Sequence, residues 1–345
     1  MAHRDAHSFA ALLLALAACA RPAAVTTPSA FLVVTNEDAD ALTLIDATTD
    51  SVVATIPVGK RPRGIKLSPD GRTAYVALSG SPKCPPSMPD EECDKLVADK
   101  AADGIGVVDL AARRVTRVLP GGSDPEQFDV SADGTLLVVS NEDSAQATFI
   151  DLTGGAILGR ATVGAEPEGV RFAPGGREVW VTSEQTASVH VLDVATRAEV
   201  ARIPVGHRPR DLGFSADGRT AWVTSEMDGL VTVVDAQAHT PLRTIAMPRG
   251  ARPMGVAVAP DGTRLYISNG RGGTVTVLST AGDSVIADLA VGTRPWGIAL
   301  SPDGARLYTA NGPSDDVTVV DTKTLQVVKR IAVGKSPWGV VVGGR

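Results

Sequence analysis

The chain is short of the residues that metal, redox and covalent chemistry draw on. Among 345 residues there are five His and three Cys, and no two Cys are spaced as C-x-x-C. That removes the usual zinc sites, a thioredoxin-type pair and a c-type haem attachment. Three Cys are also too few for a small disulfide-built scaffold. Aromatic residues number only thirteen, and basic charge does not dominate: 33 Lys and Arg stand against 39 Asp and Glu, for a net charge of −6. Such a balance gives no electrostatic reason to bind a polyanion, so nucleic acid is not an expected partner. The nucleophile elbow G-x-S-x-G, a Walker loop and H-E-x-x-H are all missing, as is any amphipathic helical stretch beyond the first thirty residues. What is plentiful is Gly and Pro, 58 residues together or about 17%. This marks a folded, turn-rich chain and falls short of the roughly 25–30% typical of disorder.

The first thirty residues read as an address. Residues 9–18, FAALLLALAA, form a ten-residue apolar run, half the ~20 residues that a membrane-spanning helix needs, so residues 1–18 are expected to be a signal peptide. The run closes as Leu16-Ala17-Ala18-Cys19, which resembles a bacterial lipoprotein processing site, with Cys19 as the lipidated residue and residues 19–30 as a flexible tether. An ordinary secretory signal is the alternative. Both place the protein outside the cytoplasm, and the first anchors it by lipid in the cell envelope, facing the periplasm or the exterior.

Beyond residue 30 the sequence repeats. A G-x-x-P element recurs at Gly59, Gly122, Gly164, Gly206, Gly250, Gly292 and Gly334, at spacings of 63, 42, 42, 44, 42 and 42. The excess of 21 in the first spacing locates one insert, at about residues 80–103. Each repeat carries four short Val-, Ile- and Thr-rich runs of period two, which are strands. Turns of the SPDG kind, as at 68–71 and 301–304, separate the first two, and D-x-x-T turns such as 46–49 follow the third. Four-stranded units at this period predict an all-β, seven-bladed β-propeller over residues 31–345. The C-terminal run 338–342 lacks strand partners downstream, whereas residues 31–59 lack an inner strand. Residues 338–342 are therefore expected to be the inner strand of the blade containing 31–59, closing the ring as a monomer.

VVTN (33–36), VVSN (138–141) and YISN (266–269), with the recurring TVTV and I-x-V-G runs, resemble the YVTN-type β-propeller repeat family. SDPEQF (123–128), AEPEG (165–169), RLYTANGPSDDVTVVD (306–321) and SPWGVVV (336–342) are similar to propellers associated with pyrroloquinoline-quinone-dependent alcohol catabolism. That resemblance implies a periplasmic accessory role and names no catalytic residue and no cofactor.

If the strand after each G-x-x-P is innermost, the residues flanking its Pro ring the central mouth. They read Arg61 and Arg63, Asp124 and Glu126, Glu166 and Glu168, Arg208 and Arg210, Arg252 and Met254, Arg294 and Trp296, Ser336 and Trp338. Glu37, Glu142, Glu184 and Glu226 stand in loops on the same face and can pair with the arginines. Charge pairing between blades is one reading of this ring; a binding mouth for a protein or small molecule is the other. In the insert, Cys84 and Cys93 are spaced for a loop-closing disulfide. The absence of a catalytic motif weighs against an enzyme, so the leading expectation is a non-catalytic binding platform. The alternative is a metal-dependent hydrolase or lactonase-like enzyme at the mouth, with Asp124, Glu126, Glu166 and Glu168 as candidate Ca²⁺ ligands. A structural or surface-layer module is the second alternative.

Overall fold

The computed structural model describes residues 1, 27–83, 88–93 and 95–344. Alternating Val, Ile and Thr build seven four-stranded antiparallel sheets arranged as propeller blades. Blades 2 to 7 are continuous in sequence, covering residues 62–119, 125–162, 167–204, 209–246, 253–290 and 295–332. Blade 1 is composite: its outer three strands come from residues 30–57 and its inner strand is Pro337–Gly344. Val33 faces Val341 and Ala30 faces Gly344, so the ring closes as the sequence predicts, with a longer strand than 338–342.

The turns hold by local chemistry. Asp46 Oδ1 accepts the backbone N–H groups of Thr48 at 2.7 Å and Thr49 at 3.2 Å, the Asx-type capping expected of D-x-x-T. In SPDG, Ser68 donates to Asp70 at 2.6 Å, and Gly71 takes a φ of 69° that Gly adopts without strain. Each apolar cluster is shared by neighbouring blades. Val33, Leu42 and Ile56 of blade 1, for example, pack with Ile65, Val76 and Val108 of blade 2. A single blade therefore cannot bury its faces alone, and stability comes from stacking around the ring.

The insert leaves blade 2 between Thr73–Leu78 and Gly104–Asp109 and contains a short helical turn, Asp90–Cys93, where the sequence suggested only loop. Its base is pinned by Gly80 N–H to Asp103 Oδ1 at 2.7 Å and by the Lys60–Asp99 ion pair at 2.7 Å. Residues 2–18, Cys19 and Cys84 lie outside the described residues, and the side chain of Cys93 does too. No described helix is long and apolar enough to cross a membrane.

The detail that shapes the centre is a bulge in every inner strand. In blade 2, Pro62 pairs with Leu78 and Ile65 with Val76, so three steps on the inner strand oppose two on its neighbour. The same shift recurs in the other six blades. An extra residue resets which side chains face which way. As a result, the residue after the Pro and the residue four after the Pro turn toward the axis, as Glu168 and Arg171 do, while the third, such as Phe128, Val170 or Leu212, enters the core.

Candidate functional site

The mouth is assembled by a repeated hydroxyl. In blade 4, Thr182 Oγ1 accepts the N–H of Gly169 in its own inner strand at 2.8 Å and donates to the carbonyl of Arg210 in blade 5 at 3.1 Å. Thr35 reaches Arg63 O, Ser140 reaches Glu168 O, Thr224 reaches Met254 O and Ser268 reaches Trp296 O in the same way, at 2.6–2.9 Å. These Thr and Ser residues are the third letters of the VVTN-like strings. Each fixes the backbone of a mouth residue on the next blade. A second device positions the loop carboxylates. Residues just before the Pro adopt left-handed φ values, 48° at Asp124, 51° at Glu166 and 54° at Arg208. Their carbonyls accept the N–H groups of Glu142, Glu184 and Glu226.

Two charged clusters result, on adjacent blades. Arg63, which is buried, pairs with Asp124 at 2.5 Å, with Glu126, and with Glu142 at 3.4 Å. Arg210, also buried, pairs with Glu168 at 2.5 Å, with Glu184, and with Glu226 at 2.8 Å. Arg208 joins the second cluster through Glu184 at 2.5 Å, and Arg61 pairs with Glu37 at 2.8 Å. The clusters thus unite Arg61, Arg63, Asp124, Glu126, Glu168, Arg208 and Arg210 with the four loop glutamates. Glu166 stands apart at the rim, bonded to Gln185, and Arg252 bonds the carbonyls of Glu226 and Met227. Asp124, Glu126, Glu166 and Glu168 do not converge: the three buried ones face arginines, and no group of three or more His, Cys, Asp or Glu among the described residues is arranged to hold a metal ion.

Burial and crowding split the carboxylates. Burial pushes Glu126 and Glu168 well above the ordinary carboxylate range against the pull of Arg63 and Arg210 respectively, and neighbouring carboxylates add to the rise. Burial also raises Glu184, but Arg210, a hydrogen bond from Glu168 and Arg208 outweigh it and hold Glu184 below its usual value. Glu168 and Glu184, both bound to Arg210, thus have opposite tendencies, the arrangement that separates an acid from a base in hydrolytic sites.

The apolar half of the mouth is Trp296 and Trp338, stacked with ring centres 5.7 Å apart and planes at 28°. Guanidinium groups flank Trp296, that of Arg294 at 5.1 Å and that of Arg210 at 5.7 Å. Burial lowers the pKa of Arg294 and the neighbouring Arg271 charge lowers it further. Among the described residues Arg294 has no carboxylate within ion-pair distance.

Below the mouth a cavity of about 270 Å³ runs down the axis, lined by Glu168, Arg210, Trp296 and Trp338 above and by Lys66, Arg171 and Asp211 below. Lys66 pairs with Asp129 at 3.2 Å and Arg171 with Asp211 at 3.0 Å. This lower tier was not anticipated from sequence. Strict alternation along the inner strand points its residues away from the axis, and only the bulge brings them back.

Among curated proteins, none matches the sequence. Solved structures that resemble it include a candidate 6-phosphogluconolactonase from Bacteroides fragilis, with a TM-score of 0.75 and 17% identity over 92% of this chain and 99% of that one. A second, from Bacteroides uniformis, has a TM-score of 0.74 and 17% identity over 92% and 100%. Kuenenia stuttgartiensis hydrazine synthase aligns with a TM-score of 0.70 and 20% identity over 82% and 95%. At these identities the likeness is one of fold. The family described as "Lactonase, 7-bladed beta-propeller" matches residues 163–337, half of the chain, including Glu168, Glu184, Arg208, Arg210, Arg294 and Trp296. This match overturns the expectation of a non-catalytic binding platform, which rested on missing motifs. A site made of a Glu–Arg cluster carries no short linear signature, because its members come from different blades. The chain belongs to the seven-bladed β-propeller lactonase family.

Proposed function

We propose that the protein hydrolyses a lactone in the upper tier of the axial cavity, with Glu168 as general base and then acid, and with Arg210 as the positive charge facing the carbonyl oxygen. The observation that carries this reading is Glu168 itself: a cavity-lining carboxyl, bonded to Arg210 at 2.5 Å and pushed by burial well above the ordinary carboxylate range. A base poised there can take a proton from water and still give it back. Water adds to the lactone carbonyl as Glu168 takes its proton, and the oxygen gains negative charge in the field of Arg210. The ring C–O bond then breaks, Glu168 returns the proton to the departing oxygen, and a hydroxy acid results. Glu184 and Glu226 hold the Arg210 guanidinium in place from behind.

The test is release of acid from five- and six-membered lactones, followed with a pH indicator, for the native protein and for Glu168→Gln and Arg210→Lys. Both variants should lose turnover while keeping the native circular dichroism spectrum. Unchanged turnover in Glu168→Gln would sink the assignment.

The N-terminal segment supports a further reading, that residues 1–18 direct export and that Cys19 carries lipid. Mass spectrometry of the mature N-terminus after expression in a bacterial envelope tests it. The YVTN-like strings and the kinship with quinone-pathway propellers rest on the sequence resemblance alone.

A further inference from the structure

The channel is divided lengthwise, and the division follows blade order. In blades 2 to 5 the residues one and four places after the Pro are Arg63 and Lys66, Glu126 and Asp129, Glu168 and Arg171, and Arg210 and Gly213. In blades 6, 7 and 1 they are Met254 and Ala257, Trp296 and Ala299, and Trp338 and Val341. The residue between these tiers in blades 6, 7 and 1 is glycine each time, Gly255, Gly297 and Gly339, because a Cβ there would meet neighbouring backbone or side-chain atoms at 2.7–2.9 Å. Apart from the indole N–H groups of Trp296 and Trp338, three consecutive blades therefore offer the cavity no polar side chain, and the opposite wall offers acids and bases.

From this we infer that the substrate, on the hydrolase reading above, is a lactone with a flat apolar face, aryl or fused-ring in character, and not a polyhydroxylated sugar lactone. The ester edge faces Glu168 and Arg210 while the ring lies against Trp296 and Trp338. The stacked indoles supply an extended apolar surface, and aromatic faces in contact gain beyond simple area burial. A sugar lactone turned to present its ester to Glu168 would press its hydroxyls on the apolar wall, where they lose water and find no partner. Unpaired polar groups are the strongest basis for rejecting a substrate. The size agrees: a cavity of about 270 Å³ lies just below the range that holds drug-sized molecules, which suits a ligand of roughly a dozen non-hydrogen atoms.

The experiment pairs binding with turnover. Coumarin, a planar lactone slow to open, is titrated calorimetrically into the native protein, Trp296→Ser and Ala299→Ser, with glucono-1,5-lactone as the polar competitor. Hydrolysis of 3,4-dihydrocoumarin and of glucono-1,5-lactone is measured in parallel. Coumarin is expected to bind at least tenfold tighter than the sugar lactone, to lose at least tenfold in Trp296→Ser and to lose a few-fold in Ala299→Ser, which keeps both indoles. Equal affinity for the two lactones, or coumarin binding indifferent to both substitutions, overturns the inference. Binding as expected without turnover of either lactone keeps the apolar-face assignment and removes the hydrolase reading. Turnover of the sugar lactone with no coumarin binding does the reverse.

Discussion

Arg210 is the residue on which the site's electrostatics turn, and Arg210→Met exposes this. The guanidinium is buried and faces Glu168, Glu184 and Glu226. Methionine keeps the apolar stem but leaves three acidic side chains without their common cation. Removing one partner of a buried charge group costs about 3–5 kcal/mol. With an unfolding entropy of about 2.1 cal/mol/K per residue over about 315 residues, or about 0.66 kcal/mol/K, a loss of 4 kcal/mol lowers the melting midpoint by about 6 °C. Arg208→Met is the control: its side chain is 40% exposed, and such pairs are worth at most about 1 kcal/mol. The penalty at Arg210 also has a pH signature. It comes from ionised Glu168 and Glu184, which lose the Arg210 charge that lowers their pKa values, so it is largest at pH 8 and shrinks toward pH 5 as they protonate. Urea unfolding followed by circular dichroism at both values measures it. A loss in Arg210→Met no greater than in Arg208→Met, or one that grows on acidification, would refute the reasoning.

Glu168→Gln should cost at least about 100-fold in kcat/KM. In the native protein kcat/KM should fall as pH drops through the raised Glu168 pKa, since the base must be ionised; a stopped-flow pH profile reads both. The same substitution shifts stability in a definite direction. Glu168 titrates higher folded than unfolded, so its contribution is full below the unfolded pKa and is lost as pH rises through the folded one. The neutral variant escapes that loss, and urea midpoints should move in its favour between pH 5 and 8. Gly169→Ala places a Cβ 2.5 Å from the carbonyl oxygen of Arg210 and should destabilise by about 1–3 kcal/mol in thermal unfolding. Gly282→Ala, whose nearest contact is 3.9 Å away, should stay within about 0.5 kcal/mol. Burial lowers the pKa of His190, against Glu199, and its Nε2 accepts the N–H of Gly164 at 2.9 Å. Native stability should therefore fall as pH drops below about 6.5, and His190→Phe should lack that part of the slope in melting curves at pH 7.5 and 5.5.

The blade count, the turns and the strand that closes the ring were legible because each repeats, and a motif met seven times leaves little freedom in its placement. The mouth residues Arg63, Glu126, Glu168 and Arg210 were legible for the same reason, being tied to a recurring Pro. Lys66, Asp129, Arg171 and Asp211 were not, since period-two alternation sends the fourth residue after the Pro (Lys66, Asp129, Arg171) and the second (Asp211) to the wrong side. The signal that could have found them is the charge itself: Lys, Asp and Arg at one register position in three consecutive inner strands are out of place in a core. The lactonase kinship stood only as an alternative because Glu168 and Arg210, on which the proposed hydrolysis rests, are 42 residues apart and are brought together only by the assembled ring. Burial is a property of the assembled ring, and no short string encodes it.

The composite blade gives the ring a mechanical seam. Ala30, where the chain enters the ring, faces Gly344, where it leaves, across one antiparallel ladder. Tension applied between these two points would open that ladder from its end, one rung after another, instead of loading all the rungs together. A propeller held together by packing shared between blades would thus be soft to a pull across these two points. Held from the N-terminal side alone, it carries no load there at all.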